Sequence, residues 1–171
     1  MTTFIHLKTH SEYSIVDGIL HIDELVNSAK ADHMPAVAMT DRMNIFGLVK
    51  FYKKALKAGI KPIIGADLII HSDKNYFLVT ALCKNALGYQ HLRELISQAY
   101  VEGQINGQPT IQWSWLSEKA EGLIILSGGR QGDIGKALLS NDHTLAKNHL
   151  MRWQQIFPDH FYIELQRTDR E

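Results

Sequence analysis

The sequence predicts an α/β protein with a mainly parallel sheet and helices outside it. Apolar runs of strand length alternate along the chain with segments in which apolar residues recur at helical spacing. Apolar residues make up 45% and charged residues 21% of the 171 residues, which is the composition of an ordinary globular protein. This length is enough for a core, and we expect residues 1–171 to form a single domain.

The first half of the chain is predicted to hold two strand–helix pairs and a hairpin. Ile22, Leu25, Val26 and Ala29 follow the i, i+3, i+4, i+7 spacing of one helix face. A second helix has its apolar residues between 48 and 56 and is closed by Gly59. The predicted strands cover residues 4–7, 36–40, 63–70 and 76–82, the last two being hairpin partners across 72–75.

The second half continues the alternation. Residues 102–109 are polar and contain two glycines, so they are predicted to form a loop. Asp133 is predicted to cap one helix, and Asp142 or Thr144 the next. The predicted elements are a helix at 86–100, a helical turn around Trp113–Leu116, a strand at 123–126, helices ending at Leu139 and Phe157, and a strand at 161–165.

Charge and cysteine content limit the possible functions. Eighteen basic residues balance eighteen acidic ones, so this chain alone is expected to bind DNA poorly, because phosphate contacts dominate such binding. Cys83 is the single cysteine, which excludes a disulfide framework and fits a reduced cytoplasm. The sequence contains neither a secretory signal nor a stretch of about 20 apolar residues that could span a membrane.

Three acidic positions follow or begin predicted strands. One interpretation of His6, Lys8 and His10, followed by Asp17, is a metal cradle. The alternative is that the histidines are partly buried strand residues and that Asp17 is a turn residue. Asp41, within Thr40–Asn44, lies at the carboxyl end of a predicted strand, where α/β folds place their functional sites. The alternative is that Asp41 or Asn44 caps the next helix. Asp67, after Gly65 and Ala66, is either a site residue or an edge position facing water.

A glycine-rich segment covers residues 127–135. Glycine-rich loops before helices can hold phosphate on backbone N–H groups. The segment does not match the dinucleotide-binding fingerprint. It does not match the Walker pattern either, because no lysine followed by Ser or Thr stands after a glycine. A plain strand-to-helix connection is the favoured interpretation and phosphate binding the alternative.

Five segments together resemble a known family. They are FIHLKTHSEYSIVDG at 4–18, TDRMNIFGLVKFYKKALKAGIKPIIGADL at 40–68, LGYQHLRELISQAY at 87–100, EGLIILSGGRQGDIG at 121–135 and FPDHFYIELQR at 157–167. In this order they are similar to the N-terminal PHP (polymerase and histidinol phosphatase) domains of bacterial DNA polymerase III alpha subunits, in their proteobacterial form. The resemblance implies part of a distorted (β/α)7 barrel, with its C-terminal strands expected beyond Glu171.

The resemblance also implies a degenerate metal site. Lys8 and Arg42 stand where metal-binding members have histidines, and Gly129 stands where they have a cysteine. Lysine and arginine are cations without a lone pair to offer, so we expect no metal cofactor and no catalytic residue in this chain. The positions carried over from the family's metal site are Lys8, His10, Asp17, Arg42, Asp67, Leu78 and Gly129.

The implied function is that of a non-catalytic structural and partner-docking domain. The full alpha subunit would carry out DNA-templated DNA synthesis with magnesium in a polymerase site outside this chain. The expected partners are the rest of the alpha subunit and the proofreading exonuclease subunit, with DNA contacted only through the holoenzyme. The alternative is a metal-dependent PHP phosphoesterase or 3′–5′ exonuclease.

An ion-pair cluster is expected where the metal would lie. Without a cation, Asp17, Asp41 and Asp67 would repel one another. We therefore expect Lys8 or Arg42 to bond Asp17 or Asp67; the alternative is that both cations point into water.

Overall fold

The structure, a computed structural model, describes residues 4–15, 17–72 and 75–166. The chain forms two compact units, residues 1–67 and 68–171. The expectation of a single domain over 1–171 stays a prediction. Among the described residues, no helix is long and apolar enough to cross a bilayer.

The first unit contains two helices and two parallel strands. These are α1 (Ile22–Ala31), β1 (Ala36–Met39), α2 (Leu48–Ala58) and the first part of β2 (Lys61–Ser72). Residues Ala36–Met39 pair in parallel with Lys61–Ile64. Gly59 ends α2 with a φ of 79°, a left-handed conformation that glycine adopts without strain. The predicted helices and strands of this unit are confirmed, apart from the first strand.

The predicted strand at 4–7 is not formed. Residues 4–10 have no regular strand geometry, although the His6 carbonyl accepts from Ala38 N at 2.9 Å and the Thr9 carbonyl from Thr40 N at 2.8 Å. The Thr9 backbone N–H donates to the Thr40 hydroxyl at 3.0 Å instead of to a carbonyl. A side chain therefore replaces one ladder partner, and the segment lies beside β1 without continuing the sheet.

The apolar core of the first unit lies between its helices and β1. Phe51 of α2, Ile22 of α1 and Val37 of β1 are fully buried there. Each fully buried side chain of this size stabilises the fold by roughly 1.5–3 kcal/mol. The remaining core residues are Leu25, Val26, Ala29, Met34, Met39, Ala55 and Ile60.

The second unit has a mixed sheet. Its elements are the end of β2, β3 (Asn75–Cys83), α3 (Ala86–Val101), β4 (Gln104–Ile105), β5 (Gln108–Pro109), β6 (Ile111–Gln112), α4 (Trp113–Glu118), β7 (Leu123–Leu126), α5 (Asp133–Leu139), α6 (His143–Ile156) and β8 (Phe161–Tyr162). β7 is antiparallel to β3 and parallel to β8, while β6 is parallel to β2. The predicted α/β class is confirmed, but the sheet is less uniformly parallel than expected.

Three local predictions in the second unit need correction. The predicted loop at 102–109 contains a small hairpin, β4–β5, that turns at Asn106 and Gly107. The predicted strand at 161–165 has only two residues in strand geometry. Asp133 does not cap α5: Gly132 occupies that position, and Asp133 is the first residue of the helix. Asp142 does cap α6, accepting from Leu145 N at 2.8 Å.

Trp153 is the centre of an aromatic cluster in the second unit. Its indole ring is fully buried and stacks on Phe161 with ring centroids 5.0 Å apart. Phe77, Trp113 and Phe157 surround it at centroid distances of 4.6–6.1 Å. Its Nε1 donates to both carboxylate oxygens of the buried Asp133, at 3.1 and 3.0 Å, so the polar edge of the ring has a partner.

Candidate functional site

Asp67 is the centre of the candidate site in the first unit. It lies on β2 directly after Gly65 and Ala66, and its side chain is fully buried. Its Oδ2 lies 2.8 Å from His10 Nε2 and 3.3 Å from Lys8 Nζ. A buried carboxylate requires charged or hydrogen-bonding partners, and these two side chains supply both. The alternative that Asp67 is an edge position facing water is therefore wrong.

His10 bridges two carboxylates. Its Nε2 contacts Asp67, and its Nδ1 lies 3.1 Å from Asp17 Oδ1. Ionised carboxylates only accept hydrogen bonds, so both contacts are satisfied only when both ring nitrogens carry a proton. The pKa of His10 is raised above its usual 6.5, and the main cause is the hydrogen bond to Asp67. The charges of Asp67 and Asp17 also raise this pKa, whereas burial and the charge of Lys8 lower it.

Arg42 is held beside Asp67 mainly by the backbone. The two residues form an isolated parallel bridge, in which Met43 N donates to the Asp67 carbonyl at 2.8 Å and Asp67 N to the Asp41 carbonyl at 3.1 Å. The Arg42 guanidinium reaches Asp17 Oδ2 at 3.9 Å, and both side chains are about 40% exposed, at 37% and 42%. This distance is within the ion-pair limit but beyond a hydrogen bond, so the pair stabilises the site weakly.

Asp41 anchors the loop that carries Asp17. Its buried carboxylate accepts from the Ser11 backbone N–H at 2.6 Å, the Ser11 hydroxyl at 2.7 Å and the Ser14 hydroxyl at 2.7 Å. The interpretation of Asp41 or Asn44 as a helix cap is wrong, because Gly47 occupies that position of α2. Asn44 instead donates to the Tyr13 and Arg42 carbonyls. Nothing in the sequence singled out Ser11 and Ser14 as the partners of Asp41.

The cluster fits an ion-pair network better than a metal site. Both ring nitrogens of His10 face carboxylates, so neither is directed at a shared metal position. With His10 protonated, three positive groups surround two carboxylates, which is an unfavourable field for a divalent cation. Across residues 4–15, 17–72 and 75–166, no group of three or more His, Cys, Asp or Glu side chains is placed to hold a metal ion. The sequence predicted that Lys8 or Arg42 would bond Asp17 or Asp67, and the structure pairs Lys8 with Asp67 and Arg42 with Asp17.

The other positions carried over from the family lie in the second unit. Leu78 is a buried residue of β3. Gly129 has a φ of 54°, and a Cβ added there would lie 2.8 Å from the Gln166 side chain. A cysteine at Gly129 would thus be strained by the backbone and crowded by its neighbour.

The glycine-rich segment is explained by close backbone packing. A Cβ on Gly132 would lie 1.8 Å from the Ser127 carbonyl oxygen, and one on Gly135 would lie 1.9 Å from that of Gly129. Glycine is required at such approaches whether or not a ligand binds. This favours the plain strand-to-helix connection over phosphate binding.

Comparisons with known proteins agree with the resemblance seen in the sequence. A family profile described as "PHP domain" matches residues 6–168. The chain is 46% identical over 171 residues to a protein named DNA polymerase III subunit alpha from Pseudomonas aeruginosa, and 47% identical over 170 residues to the one from Vibrio cholerae. Each match covers 98% of this chain and 15% of the relative, so the chain spans about a seventh of these relatives' length.

A solved structure supports the fold. A protein from Bifidobacterium adolescentis, described as a metal-dependent phosphoesterase, aligns over 89% of this chain and 82% of its own length. The TM-score is 0.50 and the identity is 10%, so the likeness concerns the fold alone.

Proposed function

The chain belongs to the PHP domain family, and on this premise we propose that it is the N-terminal PHP domain of a DNA polymerase III alpha subunit, with a structural and partner-docking role. Relatives named for that subunit are 46–47% identical over 98% of the chain, which supports the proposal. The full subunit would synthesise DNA on a DNA template in the cytoplasm, with magnesium bound outside this chain.

The arrangement around His10 carries the non-catalytic part of the proposal. A hydrolytic metal centre needs neutral imidazole nitrogens and carboxylates with open lone pairs. Here His10 bridges Asp67 and Asp17, and the Lys8 ammonium lies 3.3 Å from Asp67 Oδ2. The residues that would hold a metal are thus engaged with one another.

The proposed partners are the rest of the alpha subunit and the proofreading exonuclease subunit. The first follows from the length of the relatives, of which this chain matches 15%. The second rests on the family resemblance alone. The zero net charge of the chain supports DNA contact through the assembled enzyme instead of through this domain by itself. A pull-down in which the exonuclease subunit needs only downstream parts of the alpha subunit would refute the second partner.

The alternative function is a metal-dependent phosphoesterase or 3′–5′ exonuclease. One observation favours it: His10, Asp17 and Asp67 are still close together, with contacts of 2.8 and 3.1 Å. Displacing Lys8 from Asp67 would be the first requirement for a metal to enter.

Metal analysis of the 171-residue chain separates the two functions. The chain is dialysed against Zn²⁺, Mn²⁺ or Mg²⁺, and its metal content and its hydrolysis of bis-p-nitrophenyl phosphate and 3′-labelled single-stranded DNA are measured. We expect far less than one equivalent of metal and no metal-dependent hydrolysis. Arg42→His alone should behave in the same way, because Lys8 still occupies Asp67; Arg130→His is a control at a surface position. One equivalent of retained metal with hydrolysis that chelation abolishes would refute the proposal.

A further inference from the structure

Helix α2 presents an exposed apolar stripe. Val49, Tyr52 and Leu56 follow one another at i, i+3 and i+7 on its outer face, and Phe46 continues the stripe in the turn before the helix. Phe46 is 69% exposed, Val49 63%, Leu56 54% and Tyr52 44%. The opposite face of the helix, with Phe51 and Ala55, is buried in the core of the first unit. The stripe is therefore an additional apolar surface on a helix whose orientation is already fixed by packing.

A row of lysines lies along one edge of this stripe. At 100° per residue, Lys53 and Lys57 lie next to Val49, with Lys50 and Lys54 beyond them. Lys50 pairs with Glu12 at 2.8 Å, and Lys54 pairs with Asp23. Lys53 and Lys57 are exposed, and within the described part of the chain neither has an ion-pair partner. Because α2 contains no acidic residue, the outer edge of the stripe keeps a positive field.

We propose that this surface, the α2 face, docks an acidic amphipathic helix of a partner protein. The α2 face consists of Phe46, Val49, Tyr52 and Leu56 with Lys53 and Lys57. Its apolar part extends over two helical turns, about 10 Å, which suits partner side chains at i, i+3 or i+4, and i+7. Glutamates or aspartates along one edge of the partner helix would face the two lysines and fix its direction.

Other occupants fit the α2 face less well. A second copy of this chain would bring the same lysines toward one another, and nothing on α2 offers carboxylates to receive them. Nucleic acid would use the lysines but leave the four apolar side chains in water. A bilayer would require a broad apolar face, whereas half of this helix is packed in the core. The inference does not depend on the polymerase assignment, so each can fail without the other.

A designed peptide tests the proposal on the 171-residue chain. The probe is a fluorescein-labelled helical peptide of about five turns, with leucines at i, i+3 and i+7 spacing and glutamates along one edge, measured by fluorescence anisotropy. We expect saturable binding that weakens at least about tenfold in Lys53→Glu/Lys57→Glu and in Val49→Ser/Leu56→Ser. Val101→Ser/Lys147→Glu is the matched control, because both residues are exposed on other helices, and it should bind like the parent chain.

A charge swap gives the decisive comparison. A peptide with lysines in place of its glutamates should bind the Lys53→Glu/Lys57→Glu variant more tightly than the parent chain, which a folding defect cannot produce. Absence of saturable binding, equal binding by all variants, or tighter binding of phosphatidylglycerol vesicles or single-stranded DNA with the same dependence on the α2 face would overturn the proposal.

Discussion

His10 Nε2 lies 2.8 Å from Oδ2 of Asp67, a carboxylate that has no contact with solvent. This hydrogen bond joins the N-terminal segment to β2 across 57 positions of sequence. Because the second ring nitrogen faces Asp17, the bond is best satisfied when the imidazole is positively charged. The strength of the cluster therefore depends on the protonation of one side chain.

Stability should fall as the pH rises through the folded-state pKa of His10. That pKa is raised above 6.5, so the contribution of His10 is fully present below pH 6.5 and is lost as the pH increases past the raised value. Urea unfolding of the parent chain and of His10→Gln should give a stability difference that shrinks over this range, and the His10 ring resonances should titrate above 6.5. His143→Gln, at an exposed position, serves as the control. Titration of His10 at or below 6.5 would contradict the prediction.

Lys8→Met should destabilise the chain more than Arg42→Met. Lys8 approaches the fully buried Asp67 at 3.3 Å, whereas Arg42 approaches the half-exposed Asp17 at 3.9 Å. We expect Lys8→Met to lower the free energy of unfolding by roughly 1–3 kcal/mol, since a buried acceptor loses one of its partners. Arg42→Met should lower it by about 0–1 kcal/mol. Denaturant midpoints of the two variants decide the order. A larger loss for Arg42→Met would show that the Asp17 pair is the stronger one.

Asp41→Asn should cost roughly 2–4 kcal/mol, because an amide cannot accept all three hydrogen bonds that the carboxylate receives from Ser11 and Ser14. The NH₂ group would instead face a donor. Asp32→Asn, at an exposed position after α1, is the matched control and should be close to neutral. Equal unfolding free energies for the two variants would mean that the Ser11–Ser14 loop does not depend on Asp41.

Gly18→Ala should be more damaging than Gly59→Ala. A Cβ on Gly18 would lie 1.8 Å from the Ser11 carbonyl oxygen, so the loop must move, at a cost above about 2 kcal/mol. Gly59 has a φ of 79° but open space around it, so alanine there costs about 1–2 kcal/mol of backbone strain. Thermal unfolding of both variants measures the difference. Similar melting temperatures would indicate that the Ser11–Gly18 contact relaxes easily.

Regular elements were predictable where one periodicity dominated. Apolar spacing and Gly59 located α2, and Asp142 located the start of α6. Residues 4–7 were misassigned as a strand: the His6 carbonyl accepts from Ala38 N, but the segment has no regular strand geometry, which no local pattern reveals. The β4–β5 hairpin was missed although Asn106 and Gly107 have φ values of 53° and 77°, the conformation that an Asn-Gly pair favours in a two-residue hairpin.

The candidate site was predictable only as a set of positions. The family resemblance brought Lys8, His10, Asp17, Arg42 and Asp67 together, and charge balance predicted pairing between them. Which cation meets which carboxylate depends on burial: Lys8 reaches the fully buried Asp67, and Arg42 only the exposed Asp17. Asp133 is a second case in which burial was not predictable. The sequence suggested that it caps a helix, but its buried carboxylate accepts from Trp153, 20 positions away.

The Lys8–Asp67 contact restricts which substitutions the cluster can accept first. Replacing Lys8 alone removes a cation from a buried carboxylate and lowers the stability of the chain before Asp67 has another partner in its place. Replacing Arg42 alone removes only its weak pair with the exposed Asp17. The two positions should therefore differ in how freely they vary among related chains: Arg42 can change by itself, whereas Lys8 should change only together with Asp67 or His10.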